Sequence, residues 1–335
     1  MTRKTAIALS HGRNREVRVR LRWSGVLLAL VLSGLSWPGV ADTGDTDTNV
    51  APPVVVPDGA DDGEAVAGLR HGQGRLFEVV GPEGERSWVF ATIHDDFPTV
   101  TSLPRPVMRA LAESRRLLMV VRPAQETLEA MRKRMFLPAD EDLEGLLGTE
   151  LYAWVARTLE RSGVTDDVLR QWRPWVAIAA LASTPPVGPD HLHQRLHNRA
   201  RREGLVVHAL ESAAERIARV DELAEADQIG LLRHVLQRRE ALPLEREARR
   251  EAYLRGDLET LRERQRTQLE ALDRPLRQAF REHLGEGWMV RLVNRAEPHL
   301  RLGGAFIALE GQHLAGPDGF LARLEERGFR VERHY

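Results

Sequence analysis

The sequence predicts an α/β fold, or α+β, in which a central mixed sheet is flanked by many helices. Short apolar runs bounded by turn residues, which are typical of strands, occur near both ends of the 335-residue chain. Between them lies a long stretch in which apolar residues recur every three or four positions, as in amphipathic helices. Short strands and long helices in one chain are expected to form a sheet with helices packed on it.

Composition excludes several classes of function. The net charge is −1, so the chain lacks the broad positive field that attracts nucleic acid. It contains no cysteine, which rules out disulfides, thiolate nucleophiles and cysteine-bound zinc. The glycine-rich phosphate loops of nucleotide-binding proteins and the GxSxG motif of serine hydrolases are also missing. We therefore expect neither nucleic acid nor nucleotide as a partner.

The amino terminus is typical of an export signal. A basic region at residues 13–22 precedes an apolar run at residues 24–37, and small residues follow at Gly39 and Ala41. This order is that of a secretory signal peptide, and the apolar run is shorter than the roughly 20 residues of a spanning helix. We predict a signal at residues 1–41, cleavage after Ala41 and a periplasmic body. An uncleaved signal would be the protein's contact with the membrane.

Residues 42–68 predict a disordered acidic linker, and the folded domain is expected at residues 69–335. The linker is rich in Asp, Pro and Gly and lacks the apolar period of a helix. An edge strand through the three valines at residues 54–56 is the alternative.

The domain begins with a predicted β-hairpin. The apolar runs "GRLFEVVG" and "RSWVFATIH" are separated by the turn residues "PEGE". A helix is expected after Pro106, and the continuous apolar run Leu117–Val121 predicts a buried strand.

Helices are predicted through the middle of the chain. Periodic segments at residues 126–136, 141–163 and 166–183 are separated by turn residues. Another helix is expected from about Pro189, followed by a strand at Leu205–Leu210 and a helix at residues 220–243.

Residues 245–284 form the most charged segment, with one apolar stripe from Leu254 to Phe280. Its arginines and glutamates alternate at spacings that pair on an outer helix face. We therefore expect a solvated face rather than a nucleic-acid site. The stripe is expected to belong to the core, with an interface for a structural partner as the alternative.

The last segment repeats the pattern of the hairpin's second strand, because "GGAFIALEGQH" is an apolar run that ends in a histidine. His94 and His313 thus both follow the carboxyl end of a predicted strand, where open α/β sheets bind ligands. Two histidines with one carboxylate could bind a divalent metal. A hydrogen-bonded structural role is the alternative for each histidine. The candidate carboxylates are Asp95, Asp96, Glu211 and Glu310.

A second group of histidines lies in "HLHQRLH" at residues 191–197. His193 and His197 have the i,i+4 spacing of two ligands on one helix face, but no HExxH glutamate lies between them. Arginines at residues 195, 199, 201 and 202 would oppose a cation. We expect a solvated helix face here rather than a metal site.

Seven segments in order resemble the TraB/GumN family over residues 70–335. They are "WVFATIH", "SLPRPVMRALAESRRLLMVV", "RPW", "GPDHLHQRL", "LVVHALES", "YLRGDLETL" and "GGAFIALEGQHLAGPDGFLARLEERGFRV". This family is related to the Tiki metalloproteases and to the erythromycin-esterase-like fold. The resemblance implies a sheet flanked by helices, two halves that each end a strand in a Gly-x-x-His turn, and a metallopeptidase-like divalent-metal site.

Four residues match family positions: His94 and His313 in the two turns, and Asp190 and Glu211 at two acidic positions. The glycines of the turns are replaced by Ala91 and Glu310.

Other departures affect the implied metal site directly. The family's acidic strand end, Glu-Val-Asp, falls on "VVR", so that Val120 replaces the glutamate and Arg122 the aspartate. An Arg-Asn pair falls on Trp288–Met289, unless a shifted alignment recovers Arg291 or Arg295. If Val120 and Arg122 share a strand face, the guanidinium of Arg122 lies at the site and disfavours Zn or Mn there.

Glu310 leaves two alternatives open. Its carboxylate either replaces the missing one in the same crevice, or pairs with Arg122 and closes a degraded site.

The leading hypothesis is therefore an exported TraB/GumN-like protein with a degraded metal-hydrolase site, a pseudoenzyme that binds or scaffolds an unknown protein or peptide. The alternative is an active divalent-metal hydrolase or peptidase. It would use His94 and His313 as metal ligands, Glu211 and Glu310 as catalytic carboxylates, and Asp95, Asp190, Val120 and Arg122 as neighbours.

Overall fold

Six β-strands form one mixed sheet in the computed structural model. The structure describes residues 68–122, 129, 132, 134–183, 190–284 and 286–335, with the backbone alone for 282–284 and 286. The strands are β1 (Leu76–Val80), β2 (Arg86–Thr92), β3 (Arg116–Met119), β4 (Val206–Ala209), β5 (Ala305–Glu310) and β6 (Arg330–Arg333). Their order across the sheet is β4-β3-β5-β2-β1-β6.

Four neighbouring strands, β4, β3, β5 and β2, run parallel to one another. Their carboxyl ends therefore meet at one edge of the sheet, where Thr92 lies opposite Glu310. β1 and β2 form the predicted antiparallel hairpin, with Leu76 opposite Phe90, and β6 pairs antiparallel with β1. The predicted α/β fold with a central mixed sheet is confirmed.

Fourteen helices accompany the sheet in the described residues. In chain order they are α1 (Pro98–Thr101), α2 (Arg105–Ala112), α3 (Leu143–Leu147), α4 (Thr149–Glu160), α5 (Asp166–Arg170), α6 (Pro174–Ala182), α7 (Leu192–Arg202), α8 (Ala213–Asp221), α9 (Glu225–Arg238), α10 (Leu242–Arg255), α11 (Leu258–Glu270), α12 (Arg274–Leu284), α13 (Glu286–Arg301) and α14 (Phe320–Glu325). A 3₁₀ turn at Gly311–His313 follows β5. Among these helices none is long and apolar enough to cross a membrane.

Several predicted segments lie outside the described residues. The signal peptide at residues 1–41 and linker residues 42–67 belong to this group, as does most of the helix predicted at residues 126–136. The helix predicted from Pro189 begins at Leu192, and the strand predicted at Leu117–Val121 ends at Met119.

Two hydrophobic cores are formed, one on the sheet and one among helices. Phe90, Leu117 and Phe306 are fully buried in the sheet core, whereas Trp172 and Phe280 are fully buried in the helical core. These cores also contain the apolar residues of the charged segment.

The charged segment does not present one continuous apolar stripe, so that prediction is wrong. It forms three helices, and its apolar residues divide between the cores: Leu258 and Leu261 pack in the sheet core, whereas Leu269 and Phe280 pack in the helical core. Their burial confirms that these residues belong to the core. Because α11 contributes to both, this helix holds the two cores together.

The break between α10 and α11 has a local cause. Gly256 ends α10 with a left-handed backbone, φ +73°, which glycine adopts without a Cβ clash. The next residue, Asp257, starts α11 by accepting a hydrogen bond from the backbone N–H of Thr260 at 2.9 Å. A Cβ at residue 256 would lie 3.3 Å from the backbone nitrogen of Gly74.

Gly256→Ala is therefore expected to lower the free energy of unfolding by about 2 kcal/mol, since a left-handed non-glycine residue is strained. Gly204→Ala is the matched control, because φ is +79° there but a Cβ would meet nothing within 4 Å. Its expected loss is about 1 kcal/mol. Urea denaturation measures both values. A loss for Gly256→Ala no larger than for Gly204→Ala would show that the contact with Gly74 is unimportant.

Candidate metal centre

Polar side chains follow three of the parallel strands at their shared edge. His94 comes two residues after β2, Glu211 two residues after β4, and His313 closes the 3₁₀ turn after β5. β2 and β5 are neighbours in the sheet. The topology thus brings all three residues to the edge at which α/β sheets bind ligands.

Three buried histidines form a compact group at this edge. One potential ligand atom from each of His94, His191 and His193 lies within 4.8 Å of the others. The ring of His94 lies 4.5 Å from that of His191 and 5.9 Å from that of His193, centroid to centroid. His313 is not a member of this group, and its ring instead packs edge-on against Trp288 at 4.8 Å. The structure therefore combines His94 with two histidines of α7 in place of His313.

The predicted solvated face at residues 191–197 is wrong. His191, His193 and His197 are all buried, because α7 packs Leu192 and Leu196 into the sheet core. The three histidines are adjacent to these leucines in the sequence and are buried with them. His191 is the N-cap of α7, and its ring nitrogen accepts the backbone N–H of Gln194 at 3.4 Å.

Asp95, the residue after His94, forms hydrogen bonds that fix the position of the turn after β2. This aspartate is 1% exposed, and its carboxylate accepts hydrogen bonds from the backbone N–H of Phe97 at 2.8 Å and from Arg250 of α10 at 3.0 Å. Its carbonyl oxygen accepts the backbone N–H of Leu192 at 3.0 Å. The turn after β2 is thus bonded to both α7 and α10, which places His94 against the histidines of α7.

The ring nitrogens of two histidines are available to a ligand. Nε2 of His193 is hydrogen-bonded to the hydroxyl of Thr92 at 2.9 Å, which orients the ring. Nδ1 of His193 and both nitrogens of His94 are buried and make no hydrogen bond with the described residues. Buried polar atoms without a partner call for an explanation such as a bound ion.

Burial also decides the charge of the group. Loss of solvation lowers the pKa of His94 well below 6.5, that of His191 to about 4 and that of His193 to about 3. All three imidazoles are consequently neutral at neutral pH, the form in which histidine binds a metal. The donor set therefore fits a divalent metal ion.

Charges of both signs surround the histidines. Asp96 and Asp190 favour positive charge at His191, whereas Arg249 disfavours it at His94 and Arg216 at His193. Asp190 itself is exposed at the start of α7.

Glu211 is engaged in a buried ion pair. Its carboxylate lies 2.8 Å from Arg219 and 3.6 Å from Arg216, and it accepts a hydrogen bond from the indole N–H of Trp288 at 3.4 Å. Trp288, which stands where the family has an arginine, thus takes part in the same network. This carboxylate faces cations rather than the histidine group.

Glu310 and Val120 line a small cavity that also contacts His193 and His313. Glu310 accepts a hydrogen bond from the side chain of Gln312. Arg122 is exposed and is not among the residues that line this cavity. β3 ends at Met119, so neither Val120 nor Arg122 belongs to the strand. The expectation that these two residues share a strand face is therefore wrong.

A larger cavity of about 330 Å³ adjoins the histidine group. It lies between α10, α11 and the sheet edge, and both His94 and Gln312 contribute to its wall. A volume of this size suits a small ligand or one residue of a larger one.

The sequence contains one signal for this group of histidines. His191 and His193 are separated by one apolar residue at a helix start, where the N-cap has an extended backbone and differs in direction from the helical turn. The i,i+4 rule pairs His193 with His197 instead and overlooks His191.

The comparison with protein families gives one result. Residues 76–333 match the model of the TraB/PrgY/gumN family. No curated protein and no solved structure matches the chain.

The lowered pKa values predict that acid destabilises the metal-free protein. The unfolded chain, with histidine pKa values near 6.5, binds more protons than the folded chain below that pH. The free energy of unfolding is therefore expected to fall as pH decreases from 6.5 to 5, with a slope that rises toward about 1.4 kcal/mol per pH unit for each of the three histidines as the unfolded chain becomes fully protonated. Urea denaturation in the presence of a chelator measures this slope.

The double variant His191→Gln with His193→Gln is the control, because it retains neutral polar side chains that do not titrate. Its slope between pH 6.5 and 5 should be smaller by up to about 2.8 kcal/mol per pH unit, the share of two histidines, whereas other buried histidines such as His313 still contribute. Equal slopes would mean that these imidazoles are not desolvated.

Proposed function

The chain belongs to the TraB/PrgY/gumN family, and from this premise we propose that it is a divalent-metal-dependent hydrolase with His94, His191 and His193 as its metal ligands. The observation that carries the proposal is the group of three buried, neutral imidazoles with potential ligand atoms within 4.8 Å of one another. Three protein ligands and one open position are the usual arrangement of a catalytic zinc site.

The donor set favours zinc over manganese in this proposal. Imidazole suits Zn²⁺, whereas Mn²⁺ prefers carboxylate and water oxygens, and the group contains no carboxylate. A bound zinc ion would supply Lewis-acid activation of the bond to be cut. Thr92 would hold the ring of His193 in place through its hydrogen bond.

The two predicted catalytic carboxylates differ in their fitness as a general base. Glu211 is held by Arg219 and Arg216, so its carboxylate is directed at these cations rather than at the histidine group. Glu310 lines the small cavity beside His193, within the part of the edge that the histidines occupy. We therefore assign proton transfer to Glu310 and a positioning role to Glu211.

A second candidate function is a binding protein without catalysis, as the degraded-site hypothesis states. The engagement of Glu211 by two buried arginines favours it, since a cation nearby would be opposed by the same arginines. In this case the cavity of about 330 Å³ would bind a protein segment or peptide that is released unchanged.

Zinc titration of the chelator-treated full chain separates these functions. We expect binding by calorimetry, with each of His94→Ala, His191→Ala and His193→Ala weakening it by at least about 100-fold because one of three ligands is lost. His197→Ala and His313→Ala are matched controls and should change the affinity less than about 3-fold, since neither imidazole belongs to the group.

Hydrolysis decides between the two candidates. Cleavage of a peptide mixture by the zinc-loaded chain, lost in His94→Ala, would support the hydrolase. Zinc binding without any cleavage would favour the binding protein. A chain whose zinc affinity depends on His313 but not on His191 would contradict the proposed ligand set.

We further propose that the protein is exported to the periplasm. The support is the order of basic, apolar and small residues within residues 1–41. In a bacterial cell that produces the full chain, we expect a periplasmic product whose first residue is Asp42, as determined by mass spectrometry. Deletion of residues 24–37 should keep the chain in the cytoplasm. A membrane-bound product that retains residues 1–41 would instead show an uncleaved anchor.

A further inference from the structure

We propose that the cavity beside His94 recognises an oxyanion of the substrate, a carboxylate or a phosphate group, through Arg246 and Arg249. This inference rests on the proposed function, because the same cavity is taken to hold the substrate of the hydrolase. It adds the chemical class of the substrate, which neither the histidine group nor the family match specifies.

Most of the residues that line the cavity are polar or charged. It has a volume of about 330 Å³ and lies between α10 and α11, with the sheet edge as its floor. Its principal polar side chains are those of His94, Arg246, Arg249, Arg264, Gln265 and Gln312. With Arg238, four arginines line this cavity, and guanidinium groups suit an anionic ligand.

Unused hydrogen-bonding atoms in the wall also point to a ligand. Gln265 is 8% exposed, and neither its amide nitrogen nor its amide oxygen has a hydrogen-bond partner among the described residues. The same holds for Nε of Arg249 and for the amide oxygen of Gln312. Because buried polar atoms are normally hydrogen-bonded, a polar ligand in this cavity accounts for several of them together.

The charges of the wall select an anion over a cation. Two glutamates line the cavity, but Glu245 is paired with Arg238 and Glu263 with Arg266. No ion pair with a carboxylate is found for Arg249 in the part of the chain that the structure describes. Arg246 is within the field of Asp95 and Asp96, so the positive charge that the cavity retains is chiefly that of Arg249.

Arginine is suited to this role by its own chemistry. A guanidinium is planar, weakly hydrated and able to donate two parallel hydrogen bonds to a carboxylate or phosphate. Arg246 and Arg249 lie three residues apart on α10, so their side chains project from neighbouring positions on one helix face.

The site adjoins the histidine group directly. Nη2 of Arg249 donates a hydrogen bond to the carbonyl oxygen of His94 at 3.4 Å. A substrate anchored by Arg246 and Arg249 would thus place its neighbouring atoms beside the three imidazoles. The anchoring group itself would also reduce the repulsion between these arginines and a cation at the histidines.

The test measures binding of inorganic phosphate and of succinate, as phosphate and carboxylate probes, to the full chain by calorimetry at low ionic strength. Each titration is made on chelator-treated and on zinc-loaded protein. We expect both Arg246→Gln and Arg249→Gln to weaken the better probe by at least about 10-fold. Arg249→Lys should weaken it less, because it keeps the charge and loses the paired donors.

Arg202→Gln is the matched control, since this exposed arginine of α7 lies outside the cavity, and it should leave binding unchanged. The better of the two probes identifies the oxyanion. If Arg249→Gln lowers the melting temperature so far that the chain unfolds, the same probe titration is made on Gln265→Leu. Loss of its amide donor should weaken the better probe by about 3-fold or more.

The outcomes separate this inference from the proposed function. Arginine-dependent binding of a probe to chelator-treated protein supports the inference even if zinc does not bind. Binding of neither probe to the unaltered chain, or equal binding to the unaltered chain and Arg249→Gln, would overturn it while the zinc titration stands. Binding that needs zinc and ignores both arginines would show that the anion is a metal ligand, which also overturns the inference.

Discussion

The arrangement of the candidate site depends on the hydrogen bonds of one buried residue, Asp95. Its carboxylate binds the turn after β2 to Arg250 of α10, and its carbonyl oxygen binds the same turn to the first residue of α7. His94 precedes this aspartate, His191 and His193 lie on the bonded end of α7, and Arg246 and Arg249 lie on the bonded helix α10. A single turn therefore sets the distance between the histidine group and the arginine-lined cavity. Because Asp95 is hydrogen-bonded to both α7 and α10, neither helix can shift relative to this turn without breaking a hydrogen bond of a buried residue.

Much of the fold can be predicted from the sequence, because short runs of neighbouring residues determine where its strands and turns form. The hairpin β1–β2, the strand β5 and its histidine turn are apolar runs bounded by turn residues, and they form where the sequence predicts them. The breaks in the charged segment were harder to predict. Gly256 and the N-cap Asp257 cause the first break locally, but helical periodicity continues across them, and the contact with Gly74 is a further constraint that the sequence does not show.

The site was predicted less well than the fold, and the reason is long-range packing. The sequence placed His94 at a strand end at the correct edge, yet it paired this residue with His313 on the basis of strand position and resemblance. Whether His191 and His193 face solvent depends on which side of α7 meets the sheet. That choice is made by the packing of Leu192 and Leu196 and by the hydrogen bond that the backbone N–H of Leu192 donates to the carbonyl oxygen of Asp95. No pattern within α7 reveals this hydrogen bond.

Burial keeps the three histidines of this group neutral, and nearby arginines add to its effect at His94 and His193. Glu211 is shared by Arg216 and Arg219, so that positive charge exceeds negative charge within this ion-pair network. Arg216 adds to the effect of burial in lowering the pKa of both His193 and His313. The charge of these arginines also opposes a metal cation among the imidazoles. A proton gains one N–H bond on one imidazole, whereas Zn²⁺ gains coordination bonds to three nitrogens at once. For zinc the repulsion is therefore offset by three bonds, and the positive charge that remains is the charge an anionic substrate would neutralise.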